Sequence, residues 1–275
     1  MTGAAITFVA PETRSAAGVC FEAVGASVRG PAHEVTGQPC QDFFAIEVCN
    51  DWVVAVVSDG AGSADRAADG ARIVSHEICG ALSEFLNDCT RSDYVGADLR
   101  SGVEGVLIGG IERARQHCLD EAHAGQTLRS FHATLVGAVV GNTRGVLFHL
   151  GDGGGSAHRR TTAGLETISF SQPENGEYIN ETFFFTQERW REHLRLTTIS
   201  GSVDAVWLMT DGAYELMVPP KQRRLREVTE REIDRLVFEE GDRSKSDVIS
   251  AILSSPQATA RNDDDKTLVI VRRTG

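Results

Sequence analysis

Five short apolar runs rich in Val, Ile and Leu punctuate the chain: Trp52 to Val57, Thr134 to Val140, Gly145 to Leu150, Ala205 to Met209 and Thr267 to Val271. Each has the length of a strand and lacks the strict alternation of a half-exposed one, so the pattern predicts strands covered on both faces. Between them, apolar positions recur at helical spacing. The clearest case spans Ala64 to Phe85, where Ala68, Ala71, Ile73, Val74, Ile78, Ala81, Leu82 and Phe85 make one apolar face. Leu99 to Ala122 predicts a second helix, and the stretches Leu225 to Phe238 and Lys245 to Leu253 a third and a fourth. The stretch from residue 151 to residue 204 reads as a long irregular segment. Only Gly141-Asn142-Thr143-Arg144 separates two of the runs. A parallel crossover needs far more chain, so part of the sheet is expected to be antiparallel. No repeat, low-complexity tract or linker divides the sequence, and one domain is the simpler reading of its 275 residues.

Composition narrows the function class. With 41% hydrophobic and 24% charged residues the chain is of globular type. Its 27 Lys and Arg against 39 Asp and Glu give a net charge of −12, which repels polyphosphate and disfavours nucleic acid or an anionic membrane as partner. Six cysteines, Cys20, Cys40, Cys49, Cys79, Cys89 and Cys118, form no CxxC pair and read as free thiols of a reducing compartment, so the expected location is cytoplasmic. No run approaches the ~18 apolar residues of a membrane span, and the N-terminal stretch has no early positive charge of the kind a secretion signal carries. Nucleotide-cradling GxGxxG and GxxxxGK[ST] loops are missing from the sequence.

Candidate chemistry lies at the ends of the apolar runs. Three of them lead into Asp-Gly: Ser58-Asp59-Gly60, Gly151-Asp152-Gly153 and Thr210-Asp211-Gly212. A fourth acidic group, Asp263-Asp264-Asp265, stands just before the last run. Strand ends of packed sheets can bring such groups together, and clustered buried carboxylates repel unless something positive sits among them. Oxygen-only ligands select magnesium, manganese or calcium over zinc. The glycine after each Asp is expected to take a positive φ, turning its carbonyl toward the ion. One Asp-Gly alone is more often a turn than a ligand. Three of them plus an acidic run favour a shared metal site.

Read in order, these segments resemble the motifs of the type 2C (PPM) metal-dependent protein phosphatases, from about Gly25 to Arg272. The matching segments are Gly37-Gln38-Pro39-Cys40-Gln41-Asp42, Asp59-Gly60-Ala61-Gly62-Ser63, Gly151-Asp152-Gly153-Gly154, Thr210-Asp211-Gly212-Ala213-Tyr214-Glu215 and Asp264-Asp265-Lys266-Thr267. The resemblance implies an α+β fold, a four-layer αββα sandwich of two antiparallel sheets flanked by helices, with a metal site at one end. Residues 21–275 would form the catalytic domain and residues 1–20 an N-terminal extension. It further implies a centre of two manganese or magnesium ions, with a position for a third. Carried over residue by residue, Asp59 would bridge both ions, the Gly60 carbonyl and the carboxylates of Asp211 and Asp264 would complete the shells, and Asp42 would act directly or through a water. Asp152 and Glu215 match positions that help to hold the further, weaker ion. Asp59, Asp211 and Asp264 are thus the expected catalytic set. The implied reaction is hydrolysis of phosphoserine and phosphothreonine in a phosphoprotein, opposing a Ser/Thr kinase, by attack of a metal-bridging hydroxide.

Two departures from the family pattern stand out. Ala61 occupies the place of a histidine often assigned as general acid, and the phosphate-gripping arginine falls near Gly37. His33 and Arg29 are the candidates to contact substrate phosphate in their stead, ahead of His132, His149 and His158. Ser171 to Ser200, with Glu177-Tyr178-Ile179-Asn180-Glu181-Thr182 and Phe183 to Phe185, resembles the insert of a bacterial subgroup and either gates substrate or covers a sheet edge. Lys221 to Arg226 reads as a solvated helix face. Two readings stay open: an active phosphatase, or a catalytically weak or inactive phosphatase-like module that binds phosphoproteins or signalling partners. A two-metal nuclease is disfavoured by the acidic balance and the lack of a basic, aromatic groove.

Overall fold

The computed structural model describes residues 6–9, 13–14, 20–49, 51–89, 98–162, 164–173, 182–239 and 243–274. The N-terminal half comprises β1 (Ile6–Val9), β2 (Thr13–Arg14), β3 (Cys20–Val28), α1 (Pro31–Thr36), β4 (Phe43–Cys49), β5 (Trp52–Ser58), α2 (Ala67–Cys89) and α3 (Leu99–Glu121). A 3-10 turn (Leu128–Phe131) leads to β6 (Leu135–Val140), β7 (Arg144–Leu150), β8 (Gly154–Thr161), β9 (Gly164–Ser171), α4 (Trp190–His193), β10 (Arg195–Ser200) and β11 (Ala205–Met209). The chain closes with α5 (Asp211–Met217), α6 (Glu227–Asp234) and its π-helical continuation Arg235–Glu239, α7 (Lys245–Leu253), α8 (Pro256–Thr259) and β12 (Lys266–Thr274).

Two sheets pack face to face. One runs β1-β3-β12-β11-β8-β9 with β2 also paired to β3, and the other runs β10-β7-β6-β5-β4; every ladder is antiparallel. In β5, Val53, Ala55 and Val57 point between the sheets while Val54 and Val56 join the core beneath α2 and α3. In β12, Val269 and Val271 point inward while Leu268 and Ile270 meet α5, α7 and α8. Both faces of the central strands are therefore buried, which is why they read as unbroken apolar runs. Each fully buried Val or Leu contributes roughly 1.5–3 kcal/mol against the cost of ordering the chain. Among the described residues, no helix is long and apolar enough to cross a membrane.

Three expectations need correction. The stretch 151–204 is not irregular, since it holds β8, β9, α4 and β10. β8 (Gly-Gly-Ser-Ala-His) hides from an apolar count because it packs with small and polar residues. A Cβ on Gly154 would stand 2.3 Å from the Tyr214 ring, and Ser156 Oγ lies 2.9 Å from His158 Nε2. Lys221 to Arg226 is a turn region rather than a helix face. It follows Pro219 and Pro220, which cannot continue α5, and Lys221 takes φ 62°. The third helix begins only at Glu227.

Candidate metal centre

Register gathers the acidic groups at one end of the sandwich. The C-terminal end of β5 pairs with the start of β4 (Ser58 with Phe43), and Leu135 at the start of β6 faces Leu150 at the end of β7. In the other sheet Met209, ending β11, faces both Leu268 near the start of β12 and Gly154 at the start of β8. Asp59, Asp152 and Asp211 each follow a strand, and Asp42 and Asp264 each precede one. Antiparallel order thus delivers all five to the same rim. One carboxylate oxygen from each of Asp59, Asp152 and Asp211 lies within 4.8 Å of the other two.

The glycines bring this about differently from expectation. Gly60, Gly153 and Gly212 are not among the positive-φ residues; Gly151, before Asp152, is, at φ 120°. What they provide is room for backbone contact. A Cβ on Gly212 would stand 2.1 Å from the Asp265 carbonyl oxygen, one on Gly153 2.5 Å from that of Met209, and one on Gly60 2.7 Å from that of Ala67. Any side chain there would force the strand-end loops, and their carboxylates, apart.

The electrostatics around Asp59 are those of mutually repelling carboxylates. Burial first, then the neighbouring charges of Asp211, Asp42, Asp152 and Asp264, hold the Asp59 carboxyl well above the usual carboxylate range. Asp211 is pushed up to about 7 by burial and by Asp152 and Asp264. Asp152 is also raised, chiefly by burial. Among the described residues, no hydrogen bond reaches the Asp59 carboxylate. Asp42 is raised by burial and Asp265, and its Oδ2 accepts hydrogen bonds from the hydroxyls of Thr210 (2.7 Å) and Thr267 (2.8 Å), while its Oδ1 is buried without a partner. Asp152 Oδ2 accepts from Thr182, and its Oδ1 is likewise orphaned. Orphaned anionic oxygens in an all-oxygen cluster fit a hard divalent cation such as magnesium or manganese.

The remaining expected residues divide. Asp264 adds its charge to the cluster, yet its ligand atoms group with those of His33 and Asp265. Asp265, read in the sequence only as a member of the acidic run, has a role of its own. Buried at 2% exposure, it accepts the backbone N–H of Gly30 (2.7 Å) and of Gln41 (2.6 Å), and its Oδ2 lies 2.9 Å from His33 Nδ1. Lys266, also buried, donates to the Asp264 carbonyl at 2.6 Å. Glu215 is exposed and its carboxylate accepts from Asn262. Arg29 is braced within its own loop, donating to the Gln38 carbonyl at 3.3 Å, with Glu34 at 3.9 Å. His149 and His158 are buried core residues, held neutral by burial at about 3 and about 4.

Within the insert, Phe185 and Trp190 join the core beneath α2 and α3, whereas Phe184 stacks on His132 and Phe183 on His193. Glu177 to Glu181 lie outside the described residues.

Comparison with known proteins fits this geometry. The sequence profile of the family described as "Protein phosphatase 2C" matches residues 29–252. The chain is 28% identical over 266 residues to "Serine/threonine-protein phosphatase 3" of Escherichia coli (strain K12), covering 90% of this chain and 96% of that protein. Among solved structures, the serine-threonine phosphatase 2C from Toxoplasma gondii superposes with TM-score 0.64 at 16% identity, covering 98% of this chain and 99% of that one. The catalytic domain of the phosphatase PstP, solved in complex with two manganese ions, superposes with TM-score 0.57 at 16% identity, covering 94% and 99%.

Proposed function

The chain belongs to the protein phosphatase 2C family, and from that premise we propose that it hydrolyses phosphoserine and phosphothreonine in phosphoproteins, in a manganese- or magnesium-dependent reaction that opposes a Ser/Thr kinase. The observation that carries this reading is the trio Asp59, Asp152 and Asp211, one carboxylate oxygen of each within 4.8 Å of the others, with the Asp152 Oδ1 buried without a partner. When bound, a pair of divalent cations lowers the pKa of a water and neutralises charge on the phosphoryl oxygens. Asp59, Asp211, Asp264 and the Gly60 carbonyl would hold that pair, and Asp152 with Glu215 a weaker third ion. Asp42 keeps its orientation because two threonine hydroxyls grip one of its oxygens, leaving the other for a cation or its water. His33 commits Nδ1 to Asp265, which leaves Nε2 to meet the phosphate or the departing oxygen. Arg29 is the matching candidate for a phosphate clamp. The described thiols Cys40, Cys49, Cys79 and Cys118 are unpaired, which supports a cytoplasmic setting.

The test is turnover of p-nitrophenyl phosphate and of a phosphoseryl peptide with added manganese, and its loss in Asp59→Asn. One observation favours a second reading, a module that binds phosphoproteins without turnover: Ala61, at the family's histidine position, offers no proton, and its N–H is tied to the His132 carbonyl at 2.9 Å. Manganese uptake without hydrolysis of any phosphopeptide would select that reading.

A further inference from the structure

A cavity of about 760 Å³ opens beside the acidic centre, walled by the C-terminal turns of α3, by Leu128 to His132, and by residues 183–193. Two short routes, each through the chain and a hydrogen bond, join it to the centre. On one side the His132 carbonyl accepts the Ala61 N–H, and Thr134, two residues on, donates its N–H to the Asp59 carbonyl at 2.8 Å. On the other, Phe183 lines the cavity one residue, or ~3.8 Å between Cα atoms, beyond Thr182, which bonds Asp152. The cavity therefore lies within reach of residues that flank a phosphoresidue held at the centre.

The lining has a distinct charge. On a chain of net charge −12 it carries Arg115, Arg129 and Arg189 against the single carboxylate Glu188. Arg115 is fixed in the wall, Nη1 donating to the carbonyls of Phe185 and Gln187 at 2.9 Å each, with Glu112 at 3.6 Å. Arg189 pairs with Glu192. Arg129 is exposed, and its guanidinium forms no ion pair among the described residues. His132 stands beside it, Nδ1 2.6 Å from Thr186 Oγ1. Leu119, Leu128 and Phe183 give the cavity an apolar part that suits the backbone and aliphatic stem of a bound side chain.

We propose that this cavity is a recognition subsite for an anionic side chain close in sequence to the phosphoresidue of the substrate, with Arg129 as the residue that reads it. The proposal rests on the phosphatase reading, and it names a substrate class: phosphoproteins with an acidic or second phosphorylated residue beside the target. Carboxylate and phosphate share the chemistry a guanidinium recognises, and separate peptides distinguish them.

The experiment compares three phosphoseryl peptides that differ at the flanking positions only, carrying Glu, Gln or a second phosphoserine. Wild-type protein is expected to turn over the Glu peptide about tenfold more efficiently than the Gln peptide at low salt, and the advantage should shrink as salt rises. Arg129→Glu should abolish or reverse the preference and Arg129→Lys should keep most of it, with p-nitrophenyl phosphate turnover unchanged in both. A still larger kcat/KM for the doubly phosphorylated peptide assigns the subsite to phosphate. Equal kcat/KM for Glu and Gln peptides, a preference indifferent to salt, or one that survives Arg129→Glu overturns the proposal. If wild-type protein shows no p-nitrophenyl phosphate turnover, the phosphatase reading fails separately. The subsite is then read by fluorescence anisotropy with the same labelled peptides, where equal affinities overturn it.

Discussion

Asp265 and Asp59 are both carboxylates at the same rim, yet they live in opposite conditions. Asp265 receives two backbone N–H groups and faces His33, so its charge is spent on joining the loop before α1 and the residues before β4 to the start of β12. Asp59 has other carboxylates as its neighbours, and among the described residues no donor reaches its side chain. A buried anion with donors is part of the frame, and one without them stores free energy that a cation can release. The same rim therefore contains a brace and a proposed ligand, distinguished by hydrogen bonding rather than by residue type or sequence position.

The largest effect separates these roles by activity. Asp59→Asn and Asp211→Asn should each lower manganese-dependent turnover of p-nitrophenyl phosphate at least ~10³-fold, while the metal-free proteins melt no lower than wild type because a repelling charge is gone. A fall in their metal-free melting temperature would contradict the repulsion. The complementary change, Asp265→Ala, should cost about 3 kcal/mol in urea unfolding, since it orphans the N–H groups of Gly30 and Gln41 in a buried site. Asp265→Asn, which keeps an acceptor, should recover most of that. Equal losses in the two variants would show that the charge, not the hydrogen bonding, is what holds the loops.

Proton linkage sharpens the contrast. The Asp59, Asp152 and Asp211 carboxyls are raised, so the metal-free folded state holds protons that the unfolded chain releases. Their contribution is intact below about pH 4 and is lost as pH rises through the folded values, about 7 for Asp211. Manganese at the proposed centre would bind the ionised form and remove this loss. Its increase in melting temperature should be several degrees larger near pH 8 than near pH 5.5, and a pH-independent increase would contradict the shifts. The smallest effect concerns Lys266, whose buried ammonium sits against the Asp264 carbonyl. Lys266→Met should tighten manganese binding about threefold to tenfold by removing a like charge, as read by titration calorimetry.

Much of the frame was legible because burial on both faces writes itself as unbroken apolar runs: the run Ala205 to Met209 is β11 as it stands, and the turn after Val140 does join antiparallel β6 and β7. The acidic rim was legible for a related reason, since strand-end position places each Asp and antiparallel order brings the ends together. β8 was hidden, because tight packing there is achieved with glycine and serine. The Asp-Gly glycines were recognised for the wrong reason, because backbone approach between distant loops leaves no local trace. Asp265 could have been singled out as the acid nearest the first buried residue of β12, a poor place for a solvated ligand. His33 was a candidate from the sequence, but its pairing with Asp265 across 232 positions and the cavity around Arg129 depend on contacts between remote segments, which one chain's pattern does not encode.

The most direct test is calorimetric titration of the metal-free protein with manganese near pH 7.5, repeated in buffers of different ionisation enthalpy. Two ions should bind with net release of protons from the raised carboxyls, and Asp59→Asn should lose that uptake. Heats that show no binding, or binding that Asp59→Asn leaves unchanged, would contradict the assignment of this rim as a metal centre.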